Sequence, residues 1–218
     1  MTPATLPLIS LLEAVTPPGA FAAALCDNGQ CLPLLPEEAG FVERAAAKRQ
    51  REFVLGRACA RAALAALGQG EAMLPRKEDG APLWPDGIVG SISHTDGNAV
   101  ALVAPANRFR GLGVDVERQG RVTPELYRHI FAAEERAWLE SLAAPARDAL
   151  AGLLFSAKEA SCKVWLGLHG GSQPFTGILV TMMDQGFTAR FPGRGYGPLS
   201  GRFARGEKLV LAAAWDAA

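Results

Sequence analysis

Apolar residues recur along this chain with two different periods. Over residues 37–67 the period is helical: Pro36 precedes the run, alanine dominates it, and the Gly68–Gly70 region closes it, which predicts one or two helices. Residues 87–103, GIVGSISHTDGNAVALV, place two β-branched runs on either side of the turn-forming TDGN, the pattern of a hairpin. Residues 111–117 predict another short strand. From Thr123 the helical period returns, because TPEL offers a Thr N-cap with Pro in the first turn, and a helix is expected to about Leu142. A second helix is expected from about Pro145 to Leu168, ended by Gly170 and Gly171. The remainder alternates short strands with turns in TGILVTMM, FTARF and KLVLAAAW.

This order describes a helix-plus-sheet unit met twice, although no close sequence repeat joins the halves. The expected fold is α+β, with two similar lobes divided near the loop at 104–112. With 218 residues, 49% of them hydrophobic, the chain can bury a substantial core.

Charge adds little at the level of the whole molecule. The 22 basic and 22 acidic residues cancel, which argues against bulk attraction to nucleic acid or to a membrane surface, so any anion site must be local. The apolar N-terminal segment through Cys26 resembles an export signal, but its first cation is Arg44 and four prolines interrupt it, so it reads as mature protein. Glu13, Arg57 and Arg61 interrupt every candidate membrane span, and the protein is expected to be soluble. Cys26, Cys31, Cys59 and Cys162 lack the paired short spacings of a zinc site and read as reduced thiols, which places the chain in the cytoplasm.

Candidate chemistry begins with GLGVDVER, residues 111–118. On a strand Val114 and Val116 share one face, while Asp115 and Glu117 share the other, about 7 Å apart along the backbone. Taken alone, the acids read as the solvated face of an edge strand. A third carboxylate changes that reading, and LLFSAKEASCKVWLGL at 153–168 supplies one. There Leu150, Leu153, Leu154, Ala157 and Trp165 form a core stripe, while Glu159 falls on a second, largely apolar stripe with Phe155, Cys162 and Leu166. A carboxylate in that setting seeks a cation or donor. An i,i+4 pair with Lys163 is compatible with this, and a capping box at Ser156 is disfavoured because the apolar period starts well before it. Three carboxylates are the hard oxygen ligands that Mg²⁺ takes beside phosphate groups. Arg57, on a helix that is apolar nearly all round, reads either as a fixed anion partner or as a snorkelling side chain. Arg44, Lys48 and Arg51 form a basic face, and His94 ends the strand SISH.

Taken together and in this order, REFVLGR, GSISH, GVDVER and FSAKEASCK resemble the 4′-phosphopantetheinyl transferase superfamily, Sfp type, in its enterobactin synthetase component D-like branch. The resemblance runs from about residue 41 to 180 and includes PLWPDGIVGSISH. It implies two pseudo-symmetric α+β lobes, 1–110 with the coenzyme A nucleotide contacts and 111–218 with the acids and the catalytic helix, and an active site in the cleft between them. The implied reaction moves the phosphopantetheine arm of coenzyme A to a serine of an apo acyl- or peptidyl-carrier protein and releases adenosine 3′,5′-bisphosphate. Carried over by position, Asp115, Glu117 and Glu159 would bind Mg²⁺, and Lys163 would neutralise the pyrophosphate with Lys158 close by. Ser93, His94, Arg57, Arg76 and Lys48 would contact the nucleotide and its phosphates, and Glu117 or Glu159 would take the serine proton. Leu126, Ile130, Phe131 and Leu139 are expected to offer the carrier an apolar patch. Many relatives carry Gly-Lys-Pro where this chain has GAP at 80–82, so Arg76 and Lys77 are expected to compensate. The expected working unit is a monomer, with neither nucleic acid nor membrane as partner. The acids and cations alone would also allow another Mg²⁺-dependent enzyme on a phosphate ester. A non-catalytic binding module would not need all three acids.

Overall fold

The structure, a computed structural model, describes residues 5–29, 32–70, 72–77, 80–171 and 173–218. The first lobe holds α1 (Thr5–Val15), β1 (Phe21–Cys26), α2 (Pro36–Ala39), α3 (Ala47–Ala66), β2 (Ile88–Thr95) and β3 (Asn98–Pro105). The second holds β4 (Phe109–Arg118), α4 (Tyr127–Ile130), α5 (Ala133–Glu140), α6 (Ala144–His169), β5 (Leu179–Met183), β6 (Gly186–Phe191), β7 (Tyr196–Arg205) and β8 (Leu209–Ala217). Each lobe is an antiparallel sheet crossed by one long helix, the α+β arrangement expected.

The first sheet runs β1-β3-β2 and the second β4-β8-β7-β6-β5, so β2 and β4 are both edge strands, and they pack beside each other. The β2–β3 hairpin turns on Asp96 and Gly97, both at positive φ, which is the backbone that a two-residue type I′ turn requires. Three clusters fill the interior. Leu55, Ala60 and Leu64 of α3 pack on Ala99, Ala101 and Val103 of the first sheet. The opposite residues of that strand, Val100, Leu102 and Ala104, join Leu112, Val114 and Val116 of β4 in a central core between the sheets. Leu154, Ala157, Ala160 and Val164 of α6 cover the outer face of the second sheet.

Several elements depart from the sequence reading. The apolar N-terminal segment forms α1 and β1, with Leu8, Leu12 and Val15 at helical spacing buried in the central core. Residues 123–142 do not make one helix. Phe131 and Ala132 adopt extended backbone between α4 and α5, because the Phe131 ring enters the core against Tyr127 and the Glu135 carboxylate accepts the Ala132 N–H at 2.8 Å. Strand β7 escapes the pattern because Gly197, Pro198 and Gly201 interrupt its alternation. Cys26, Cys59 and Cys162 stand as thiols, and Cys31 lies outside the described residues. Among the described residues no helix is long and apolar enough to cross a membrane.

Strand β4 explains how the site is seated. Leu112, Val114 and Val116 face the central core, so Gly111, Gly113, Asp115 and Glu117 alternate to the face under α6. A Cβ on Gly113 would lie 1.9 Å from the Ala160 carbonyl oxygen, so the glycine lets α6 approach the strand. Gly113→Ala is therefore expected to cost about 1–3 kcal/mol or more. Urea unfolding checks this, and a wild-type midpoint would mean that α6 is not seated on Gly113.

Candidate active site

The acids on β4 are not a solvated face. Asp115 is buried, and its Oδ1 accepts two hydrogen bonds, from the Ser93 hydroxyl at 2.9 Å and from Lys163 Nζ at 2.9 Å. Lys163 also donates to the Val114 carbonyl at 2.9 Å, fixing the α6 lysine against the strand. Asp115 Oδ2 is buried without a hydrogen-bond partner, and so is Glu117 Oε2, although Arg121 Nε lies 3.3 Å from it as an ion pair. Burial pushes Glu117 up to about 7, helped by the neighbouring Asp115 charge and opposed by Arg121. Burial also raises Glu159, with Lys163 opposing the shift and Asp115 adding to it. The three carboxylates thus feel one another across β4 and α6. Among the described residues, however, no three acidic, His or Cys side chains gather closely enough to hold a metal ion.

A cleft of about 540 Å³ opens beside these acids. Its walls come from Arg76, Lys77, residues 80–84 and β2 on one side and from the start of β4 and the end of α6 on the other. Arg49, Arg76, Lys77, Arg110 and Lys163 line it, and no carboxylate does so among the described residues. The remaining lining is largely apolar, including Leu83, Trp84 and Leu112. A cationic, partly apolar cleft suits an anion that carries a large organic body. Lys163 belongs to both the cleft and the acid cluster, so the two form one site.

The candidate residues separate by position. Arg76 and Lys163 line the cleft. Lys48 and His94 line a smaller hollow of about 230 Å³ with Glu52 and Asp96. Arg49 connects the two spaces, since it lines the cleft and donates to His94 Nε2 at 2.8 Å. A guanidinium only donates, so the neutral His94 keeps its proton on Nδ1, which faces Glu52 at 3.7 Å. Burial lowers the His94 pKa, favouring that neutral form. Arg57 is buried, 4.5 Å over the Phe53 ring, and its Nε and Nη2 have no hydrogen-bond partner. Desolvation lowers it to about 10, with Glu38 partly restoring the charge.

Three expectations need correction. Lys158 does not reach the cleft: its fully buried Nζ donates to the carbonyls of Phe175 at 2.9 Å and Ile178 at 2.6 Å, and pairs with Glu135 at 2.5 Å. A helix turns about 100° per residue, so neighbours Lys158 and Glu159 leave α6 on different faces. The Ser93 hydroxyl faces Asp115, whereas the next residue, His94, points to α3. Ile130, Phe131 and Leu139 are buried in the second-lobe core, leaving Leu126 as the exposed member of that apolar set, with Trp138 exposed nearby in sequence. The pattern also missed Arg49, Arg110 and Ser91. Arg49 was within reach, because 49, 53 and 57 share one helical stripe. Arg110 was not, because it stands at a β-bulge between Phe109 and Gly111 that pattern alone does not reveal.

Comparison with known proteins agrees with this geometry. The 4′-phosphopantetheinyl transferase N-terminal domain family matches residues 37–104, and the 4′-phosphopantetheinyl transferase superfamily matches residues 111–213. The chain is 42% identical over 190 residues to the 4′-phosphopantetheinyl transferase Svp of Streptomyces mobaraensis, covering 83% of this chain and 77% of that one. It is 37% identical over 155 residues to Npt of Nocardia iowensis, covering 71% and 69%. It is 35% identical over 191 residues to PptT of Mycobacterium tuberculosis, covering 85% and 84%. With both lobes matched and the acids, Lys163 and the cationic cleft meeting at one seam, the chain belongs to the 4′-phosphopantetheinyl transferase superfamily.

Proposed function

We propose that the cleft binds coenzyme A and that the chain transfers its phosphopantetheine arm to a serine of an apo acyl- or peptidyl-carrier protein. The observation that carries this reading is the meeting, at Lys163, of a cation-lined cleft with the Asp115, Glu117 and Glu159 carboxylates. The first lobe supplies nucleotide and phosphate contacts from Arg49, Arg76, Lys77 and the His94 hollow, with the buried Arg57 adding positive charge near Arg49 and Arg76, and the second supplies the acids and Lys163. Arg76 and Lys77 stand in the cleft where relatives carry the lysine that Ala81 replaces.

The acids suit Mg²⁺ as the metal. They offer hard oxygen donors, two of their oxygens are buried without hydrogen-bond partners, and mutual repulsion leaves them short of positive charge. Mg²⁺ takes one or two carboxylates beside substrate phosphates, so Asp115, Glu117 and Glu159 need not all converge on it, and held among them it would neutralise charge on the pyrophosphate oxygens. The chain's own residues do the rest. Lys163 Nζ, held at the rim by Asp115 and Val114, offers its charge to the departing bisphosphate. A carboxylate oxygen of Glu117 or Glu159 accepts the proton of the carrier serine as its hydroxyl oxygen bonds to the phosphorus that carries the arm. The phosphorus–oxygen bond to adenosine 3′,5′-bisphosphate breaks in the same displacement.

The thiols suit a reducing, cytoplasmic setting. The test incubates the protein with coenzyme A, Mg²⁺ and a panel of fatty-acid, polyketide and peptidyl apo carriers and then weighs the carriers. A mass gain equal to the phosphopantetheine arm, lost in EDTA and restored by Mg²⁺, is expected. No gain on any carrier would overturn the reading.

A further inference from the structure

Edge strands β2 and β4 meet without a backbone ladder between them. Two serines close the gap. The Val114 N–H donates to Ser91 Oγ at 3.0 Å and the Val116 N–H to Ser93 Oγ at 3.3 Å, so hydroxyls of the first lobe satisfy edge donors of the second. Both serines are buried, and both lie on the same face of β2 because they are two residues apart. Ser93 then does something Ser91 does not, because its own proton goes to Asp115 Oδ1. With Lys163 on the same oxygen, Oδ1 carries two donors and Oδ2 has none.

We propose that Ser93 is a positioning residue for Asp115: by bridging the edge strands and donating to Oδ1, it leaves the buried, unpartnered Oδ2 as the oxygen that meets the cation. Ser91 fixes the strand, and Ser93 fixes both strand and carboxylate. The first lobe therefore sets the aim of a ligand carried by the second. This rests on the reading of Asp115 as a metal ligand, and the controls separate the two.

The experiment uses the full chain, with Mn²⁺ as probe. Free Mn²⁺ is followed by electron paramagnetic resonance in the presence of saturating coenzyme A, coenzyme A binding in EDTA is followed by calorimetry, and neither needs turnover. Loss of one charge-assisted hydrogen bond in Ser93→Ala is expected to weaken Mn²⁺ about tenfold. Coenzyme A affinity in EDTA should stay within about twofold, and Ser93→Thr, which keeps the hydroxyl, should recover most of the Mn²⁺ affinity. Ser91→Ala should lower the unfolding midpoint yet leave Mn²⁺ affinity within about twofold, since Ser91 does not touch Asp115. Ser93→Cys is nearly isosteric with a weaker donor, and should it be the variant that folds, the same shift in reduced size is expected. Unchanged Mn²⁺ affinity in Ser93→Ala or Ser93→Cys, or a weakened coenzyme A affinity in EDTA instead, would overturn the proposal. An equal Mn²⁺ loss in Ser91→Ala would also overturn it, by showing general loosening of the seam. Wild-type Mn²⁺ binding by Asp115→Asn would sink the metal reading itself.

Discussion

Asp115→Asn is expected to slow transfer by about a hundredfold or more while the protein stays folded. The substitution keeps the shape, and an amide oxygen can still accept from Ser93 and Lys163 at the Oδ1 position. The other position changes in kind, because an NH₂ donor replaces the unpartnered Oδ2 acceptor. A donor repels a cation and cannot ligate it, and the site also loses one of its three carboxylates. Single-turnover transfer, followed by the mass of the carrier, reads the effect, with the urea midpoint as the folding control. Full rates at limiting Mg²⁺ would show that Asp115 serves the structure alone.

Lys158→Met carries the largest expected effect on stability. The lysine is fully buried and gives its donors to the Glu135 carboxylate and the Phe175 and Ile178 carbonyls. Glu135 in turn accepts from the Ala132 N–H at 2.8 Å and the Val180 N–H at 3.0 Å. The pair ties α6 to the start of α5 and to β5. Burial lowers the lysine pKa, with Glu135 opposing the shift. Removing only the cation leaves a carboxylate buried among apolar groups, at a cost of about 3–5 kcal/mol. Lys158→Met combined with Glu135→Leu should regain part of that loss, because the stranded charge goes too. Denaturant unfolding gives the stabilities, and the KM for coenzyme A should not move. A raised KM with unchanged stability would instead return Lys158 to the cleft.

Legibility in the sequence varied with how local the determinant was. The strand at 111–117 was readable because a two-residue period gives side-chain direction directly, and Val114 and Val116 are indeed buried opposite Asp115 and Glu117. The β2–β3 hairpin was readable because Asp-Gly favours its turn. The break at Phe131 and Ala132 was not, because it depends on Glu135 being held by Lys158 and Val180 from elsewhere in the chain. The roles of Lys158 and Glu159 could not be told apart from adjacency in KE. Only the position of α6 on its sheet decides which residue faces the core and which faces the acids.

By itself the sequence determined the α+β class, the alternation on β4 and the residue types needed for phosphate chemistry, since periodicity and motif order are properties of the chain alone. Only the tertiary structure decided which cations line the cleft, that Lys158 is a core counter-ion, and that Ser93 faces Asp115. Those outcomes depend on how two edge strands and one helix approach one another, and that approach is set by Gly113 under α6 and by serine hydroxyls at the seam, contacts between residues far apart in the chain.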